Sequence, residues 1–239
     1  MSGDRIELAG RVVGASDAPP LLLLHGLTGS GEDWDGVAPA LAESWRLHIP
    51  DLRGHGASPR SREYSFELMR DDVLGYLDDA GLAEVTVIGH SLGGVIAYLL
   101  AALAPSRVRA MVLEEPPPPI PLDRPVPSAS DAPSPYDRRA VGRIIRQVNA
   151  PDPAWRAGLA STPVPALVIG GGPASHLPQD EIAAMAELLP YGTFVTVPAG
   201  HGVHAEAPGP FLDQVLPFLA RHRPAPAARP AVDAAVDGG

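Results

Sequence analysis

From residue 85 to residue 104 the chain passes through three contrasting segments. A β-branched apolar run, Val85-Thr86-Val87-Ile88, leads into Gly89-His90-Ser91-Leu92-Gly93, and an apolar stretch from Val95 to Ala104 then ends before Pro105. The first predicts a buried strand and the last a helix, so the glycine-flanked serine stands at a strand-to-helix turn. Such a turn reverses the chain so sharply that side chains on either side of the serine would collide, and glycine removes them. The serine is then held in a strained, exposed conformation, with its hydroxyl at the edge of a sheet and a helix N-terminus beneath it.

The rest of the chain repeats this strand and helix rhythm. Ile6–Val13, Leu21–Leu24, Arg46–Ile49, Val108–Leu113, Pro165–Ile169 and Thr193–Val197 predict strands. Glu32–Glu43, Phe66–Leu77, Ile182–Leu189 and Phe211–Ala220 predict helices. The alternation implies an α/β fold with a mainly parallel, doubly wound sheet covered on both faces. Two stretches break it. Residues 116–135 are proline-dense and can neither pair as a central strand nor continue a helix. Tyr136–Asn149 then places Val141, Ile144, Ile145 and Val148 on one helical face. Together they predict an insertion over about 116–163 that forms a small lid at the carboxyl side of the sheet. Residues 1–222 are expected to form a single domain, and 223–239, rich in alanine and proline, a disordered tail.

Composition narrows the function. A net charge of −10 argues against nucleic acid and anionic membrane surfaces as partners. The absence of cysteine excludes disulfides, thiolate metal sites and a cysteine nucleophile. Met1–Gly10 has neither the apolar run of a signal peptide nor that of an anchor, and no apolar segment nears the ~20 residues of a membrane span. A cytoplasmic protein with a small-molecule substrate is the expectation, its oligomeric state open. Gly170-Gly171-Gly172 is followed by Pro173 and spells no nucleotide-binding loop. His201 and His204, three apart, show no acidic partner by spacing, so neither a metal nor a cofactor is expected.

A serine hydroxyl needs a general base, and the base an orienting carboxylate. With four further motifs beside the Ser91 turn, the chain resembles the α/β-hydrolases of the short bacterial serine ester-hydrolase type. The motifs are Leu24-His25-Gly26-Leu27, the Asp51-Leu52-Arg53-Gly54-His55-Gly56-Ala57-Ser58 loop, Gly200-His201, and the Pro208-x-x-Phe211 to Leu219 helix. The likeness runs from about Leu21 to Leu219, excluding the insertion. It implies Ser91 as nucleophile and His201 as base, with His204 as competitor. It also implies that the backbone N–H groups of Leu27 and Leu92 form an oxyanion hole.

The acid departs from the family pattern, because Ala174 stands where the loop after the Pro165–Ile169 strand usually carries aspartate. Some superfamily members, certain haloalkane dehalogenases among them, place a glutamate at the end of the neighbouring strand. This chain has Glu114 and Glu115 there. The alignment favours Glu115 and leaves Glu114 as the alternative, since a shift of one residue turns a side chain to the opposite face. Asp180, in the first turn of the next helix, is a third candidate. A pocket lined by Leu27, Trp34, Leu92, Ile144 and Ile145 would suit a modest hydrophobic group. The resemblance implies hydrolysis of a carboxylic ester or related acyl bond through an acyl-enzyme on Ser91. Cofactor-free perhydrolysis and carbon–carbon bond hydrolysis on the same triad stay open, as does a non-catalytic ligand-binding homologue.

Overall fold

Four of the predicted strands are apolar on both faces, and they occupy the middle of the sheet. The computed structural model describes residues 5–128 and 133–224. Seven strands, β1 (Gly10–Val13), β2 (Pro20–Leu24), β3 (Arg46–Pro50), β4 (Val85–His90), β5 (Val108–Glu114), β6 (Ala166–Gly170) and β7 (Gly192–Thr196), pair in the order β1-β3-β2-β4-β5-β6-β7. Only β1 is antiparallel to its neighbour. The fully exposed β1 and the half-exposed β7 form the edges, where buried runs are not required.

Side chains alternate across the sheet and divide the core in two. Leu22, Leu24, Val87, Met111, Leu113, Ala166 and Val168 point to one face. They pack there with α2 (Phe66–Asp79), α3 (Leu92–Leu103) and the later helices α4 (Arg138–Asn149), α5 (Pro153–Ser161) and α6 (Gln179–Leu188). Leu21, Leu23, Ile88, Ala110, Val112, Leu167 and Ile169 point to the other. They meet α1 (Ala38–Ala42), the short α7 (Val203–Glu206) and α8 (Pro208–Arg221). No helix among the described residues is long and apolar enough to cross a membrane.

Two elements differ from the sequence reading. Ile6–Ala9 does not pair as a strand. Its N–H groups are taken by side chains instead, Ile6 donating to Asp72 at 3.0 Å and Ala9 to the Ser58 hydroxyl at 2.9 Å. The stretch predicted as one helix from Glu32 splits into a 3-10 segment, Gly31–Gly36, and the five-residue α1. The glycine at 36 interrupts the helical run, and Pro39 begins a new one at its tolerated N-terminal position. The predicted tail lies outside the described residues from 225 onward. Between β5 and β6, residues 116–128 and 133–137 run irregularly ahead of α4 and α5.

The Asp51–Ser58 loop explains its own residue pattern. Asp51 accepts the N–H groups of Gly31 and Ala57 at 2.7 and 2.8 Å, closing the loop on the segment after β2. Arg53 is buried and donates from Nε and Nη2 to the two carboxylate oxygens of Asp72 on α2, at 2.6 and 2.7 Å. Removing one partner from a buried, bidentate pair leaves an uncompensated charge. Asp72→Ala should therefore lower the unfolding free energy by roughly 3–5 kcal/mol in urea titrations, whereas truncating an exposed aspartate such as Asp180 should leave it nearly unchanged.

Candidate active site

Ser91 sits between β4 and α3 with φ 51° and ψ −109°, a left-handed conformation costly for a residue with a Cβ. The surrounding glycines make the turn possible. A Cβ on Gly93 would stand 2.1 Å from the Leu24 carbonyl oxygen, and one on Gly89 would stand 2.3 Å from that of Gly93. The Ser91 N–H donates to the Glu114 carbonyl oxygen at 2.8 Å, which ties the turn to the end of β5.

The structure brings Ser91, His201 and Glu115 together. Ser91 Oγ lies 3.0 Å from His201 Nε2, and His201 Nδ1 lies 3.1 Å from Glu115 Oε2. Glu115 follows β5 with φ 48°, so its side chain leaves the strand's alternation and turns toward the loop after β6. Its carboxylate accepts from the Gly171 N–H, from the Ser175 hydroxyl and, at 2.9 Å, from Gln179 Nε2. Burial opposes its charge, but His201 and these three donors outweigh burial and hold the carboxyl below its ordinary pKa.

Glu114, one residue earlier, stays within the alternation and faces the side carrying Ala110 and Val112. It meets His204 there, its two carboxylate oxygens 2.8 and 2.9 Å from His204 Nδ1, and accepts the His204 N–H at 2.9 Å. The two adjacent acids thus take two different histidines, partners that spacing along the chain does not reveal. Burial pushes the Glu114 pKa up, yet His90 and the hydrogen bonds from His204 bring it below its ordinary value. Burial likewise opposes the charge of His204, while Glu114 raises its pKa. Asp180 lies in the first turn of α6 and hydrogen-bonds neither histidine among the described residues.

Trp34 corrects the expected pocket. It is fully buried on the α1/α8 face and stacks on the His204 ring with centroids 4.3 Å apart, so it belongs beneath the site. Its closeness in sequence to the Leu27 loop misleads, because the 3-10 turn at Gly31–Gly36 carries it under the sheet. Leu27, Leu92, Ile144 and Ile145 do line a cavity of about 490 Å³ that has Ser91 and His201 in its wall. The Leu27 and Leu92 N–H groups have no acceptor among the described residues. Gly26 lies against Ser91, where an added Cβ would be 3.6 Å from the serine Cβ. His25 braces this loop. It accepts the Leu52 N–H on Nε2 at 2.9 Å, which leaves Nδ1–H to donate to the Gly26 carbonyl at 2.8 Å. Burial, helped by His55, lowers its pKa to about 3 and keeps it neutral.

Several residues of the site carry no sequence signal that singled them out. Ser175 and Gln179 read as ordinary loop and helix-start residues, and only the lack of aspartate nearby marks the loop. His90, the variable residue before the serine, donates from Nε2 to the His201 carbonyl at 2.8 Å, and burial lowers its pKa to about 4. Gly171 joins acid and base. Its N–H reaches Glu115, its carbonyl accepts from Ala199 and Gly200 at 3.1 and 2.9 Å, and a Cβ there would stand 1.8 Å from the Gly200 carbonyl oxygen.

Residues 19–134 match a family model described as the alpha/beta hydrolase fold. Over 254 aligned residues the chain is 28% identical to the sn-1-specific diacylglycerol lipase of Mus musculus, covering 87% of this chain and 83% of that protein. Among solved structures, a hydrolase from Pseudomonas aeruginosa is similar with TM-score 0.79 and 27% identity, over 89% of this chain and 94% of that one. A thermophilic esterase from Thermogutta terrifontis is similar with TM-score 0.82 and 23% identity, over 94% and 97%.

The Glu114–His204 pair makes stability depend on pH from two sides. Glu114, with its folded pKa lowered, contributes above the ordinary carboxyl value of 4.5 and loses its contribution as pH falls through the folded pKa. His204, with its folded pKa raised, contributes below the ordinary imidazole value of 6.5 and loses its contribution as pH rises through the folded pKa. The stability difference between wild type and Glu114→Gln should be largest between about pH 4.5 and 6.5 and shrink on both sides, as measured by denaturant unfolding at each pH.

Proposed function

Since the chain is an α/β-hydrolase of the esterase and lipase type, we propose that it cleaves a carboxylic ester through an acyl-enzyme on Ser91. The observation that carries this reading is the continuous hydrogen-bonded line from Ser91 Oγ through the His201 ring to Glu115, opening on an apolar cavity. Glu115, held ionised by its donors, accepts Nδ1–H of His201 and so leaves Nε2 free to take the serine proton. The serine oxygen attacks the ester carbonyl, and negative charge develops on the carbonyl oxygen. The N–H groups of Leu27 and Leu92, without an acceptor among the described residues and the second at the start of α3, are the donors for that charge.

The protonated His201 then gives its proton to the leaving alcohol, and the tetrahedral species collapses to the acyl-enzyme. Water enters, loses a proton to the same nitrogen and attacks the acyl carbonyl, and the imidazolium then returns that proton to Ser91 Oγ as the acid is released. The Glu115 carboxylate stabilises the imidazolium at both steps. In this reading Glu114 and His204 support the floor of the site and take no part in proton transfer. The cavity wall of Phe66, Leu92, Val141, Ile144, Ile145 and Val148 suits an apolar acyl or alcohol portion. Helix α4 serves as the lid over it.

Short p-nitrophenyl esters test the assignment. Wild type should show a burst equal to the enzyme concentration, and Ser91→Ala should lose it. Glu115→Gln should lower kcat by about 10²–10⁴-fold, because an amide favours the wrong imidazole tautomer. Glu114→Gln should stay within about tenfold of wild type. Equal losses in the two glutamine variants would overturn the choice of acid, and a persistent burst in Ser91→Ala would overturn the nucleophile.

A further inference from the structure

Resting on the ester-hydrolase reading, we propose that the pocket takes esters bearing a carboxylate, bound by the guanidinium of Arg124. Among the described residues that line the cavity, Arg124 is the one Arg, Lys, Asp or Glu, set in a wall otherwise built from apolar side chains, histidines, Ser91 and Thr28. Its guanidinium has no acidic partner among the described residues. Asp123, next to it in the chain, is exposed and forms no ion pair with it. A half-buried arginine without an acidic partner among the described residues is a partly desolvated, forked donor, and a carboxylate fits it bidentately.

The residue is also held in position. The Arg124 N–H donates to Asn149 Oδ1 at 2.9 Å, and Asn149 Nδ2 donates back to the Arg124 carbonyl at 2.8 Å. This two-point clamp from the end of α4 fixes an otherwise irregular proline-rich segment at the residue that carries the charge. Pro125 and Pro127 beside it restrict the backbone further. Burial, then His201 and then the Arg124 charge lower the His176 pKa, and the His176 ring packs on His201 with centroids 4.2 Å apart. Arg124 and His176 line the same cavity as Ser91 and His201, so an anion on Arg124 lies in the cavity that holds the reacting centre.

Charge distribution points the same way. The chain as a whole carries −10, which repels anions, yet residues 116–163 hold six arginines against four aspartates. A locally positive cover over an acidic body raises the local concentration of an anionic substrate at the mouth of the site. Neutral lipids or simple alkyl esters would gain nothing from it.

The test pairs anionic and neutral esters of similar size. Mono-p-nitrophenyl glutarate against p-nitrophenyl butyrate places the charge on the acyl side, and 4-carboxyphenyl butyrate against phenyl butyrate places it on the alcohol side. Arg124→Gln should lower kcat/KM at least about tenfold for the anionic member of one pair, mainly through KM, and leave neutral members within about twofold. Arg124→Lys should recover part of the loss, and added salt should weaken the wild-type preference. A loss shared equally by anionic and neutral esters, or none in either pair, would overturn the proposal while the ester-hydrolase reading stood. Calorimetry on Ser91→Ala reads the site without turnover. Glutarate monoamide should bind at least about tenfold tighter than the neutral butyramide, and the difference should vanish in Ser91→Ala/Arg124→Gln. Equal binding of the anionic and the neutral amide would also overturn the proposal. A wild type inert to every ester would instead count against the ester-hydrolase reading, leaving the binding result to decide the anion site.

Discussion

The organisation of the site depends on one buried carboxylate, that of Glu115, and on how its charge is kept. A buried acid with too few donors becomes protonated, and a protonated Glu115 would no longer fix the His201 ring. Here the charge is shared among a backbone N–H, a hydroxyl, an amide and an imidazole. Three of those four come from the loop and helix start that follow β6, the region where the family resemblance leads one to expect an aspartate. The segment that lacks the acid has become the socket for it. Glu115 reaches this socket because it leaves β5 in a left-handed conformation, with φ 48°.

Much of this was legible in the sequence because the signals were local. Ser91 is announced by its glycines, and the steric reason for them holds in the structure down to the Leu24 carbonyl. The inner strands are announced by unbroken apolar runs. Glu114 and Glu115 stand where the predicted strand ends, and strand alternation together with one positive φ decides which histidine each one meets. The residues that stayed hidden act across long sequence separations. Ser175 and Gln179 reach Glu115 from 60 and 64 positions away, and His90 holds the His201 carbonyl from 111 positions away. Nothing in a stretch such as Pro173-Ala174-Ser175 states that its hydroxyl will face a carboxylate. Trp34 failed for the opposite reason, since closeness along the chain suggested a closeness in space that a single 3-10 turn removed.

The second pair beneath the site, Glu114 with His204, has a supporting character that differs from that of the first. It is dry and capped by the Trp34 ring, whereas His201 opens to the cavity. The Glu114 carbonyl receives the Ser91 N–H, so the backbone that anchors the serine turn belongs to the same residue whose side chain grips His204. The polar layer under the turn is thus continuous from β5 to α7. Apolar side chains of equal volume would fill the space but would not fix the direction of either loop.

Gly171 ties the carboxylate to the imidazole. Its N–H holds Glu115 and its carbonyl holds the chain that leads into His201, so the relative position of these two groups is set through one residue. In most arrangements of two loops, the scatter of each adds independently to the distance between their tips. Here the two loops share one anchor, so a shift at Gly171 would carry the carboxylate and the chain before His201 together. The alignment of carboxylate and imidazole is thereby tied to one residue beneath the surface and not to the irregular proline-rich segment after β5.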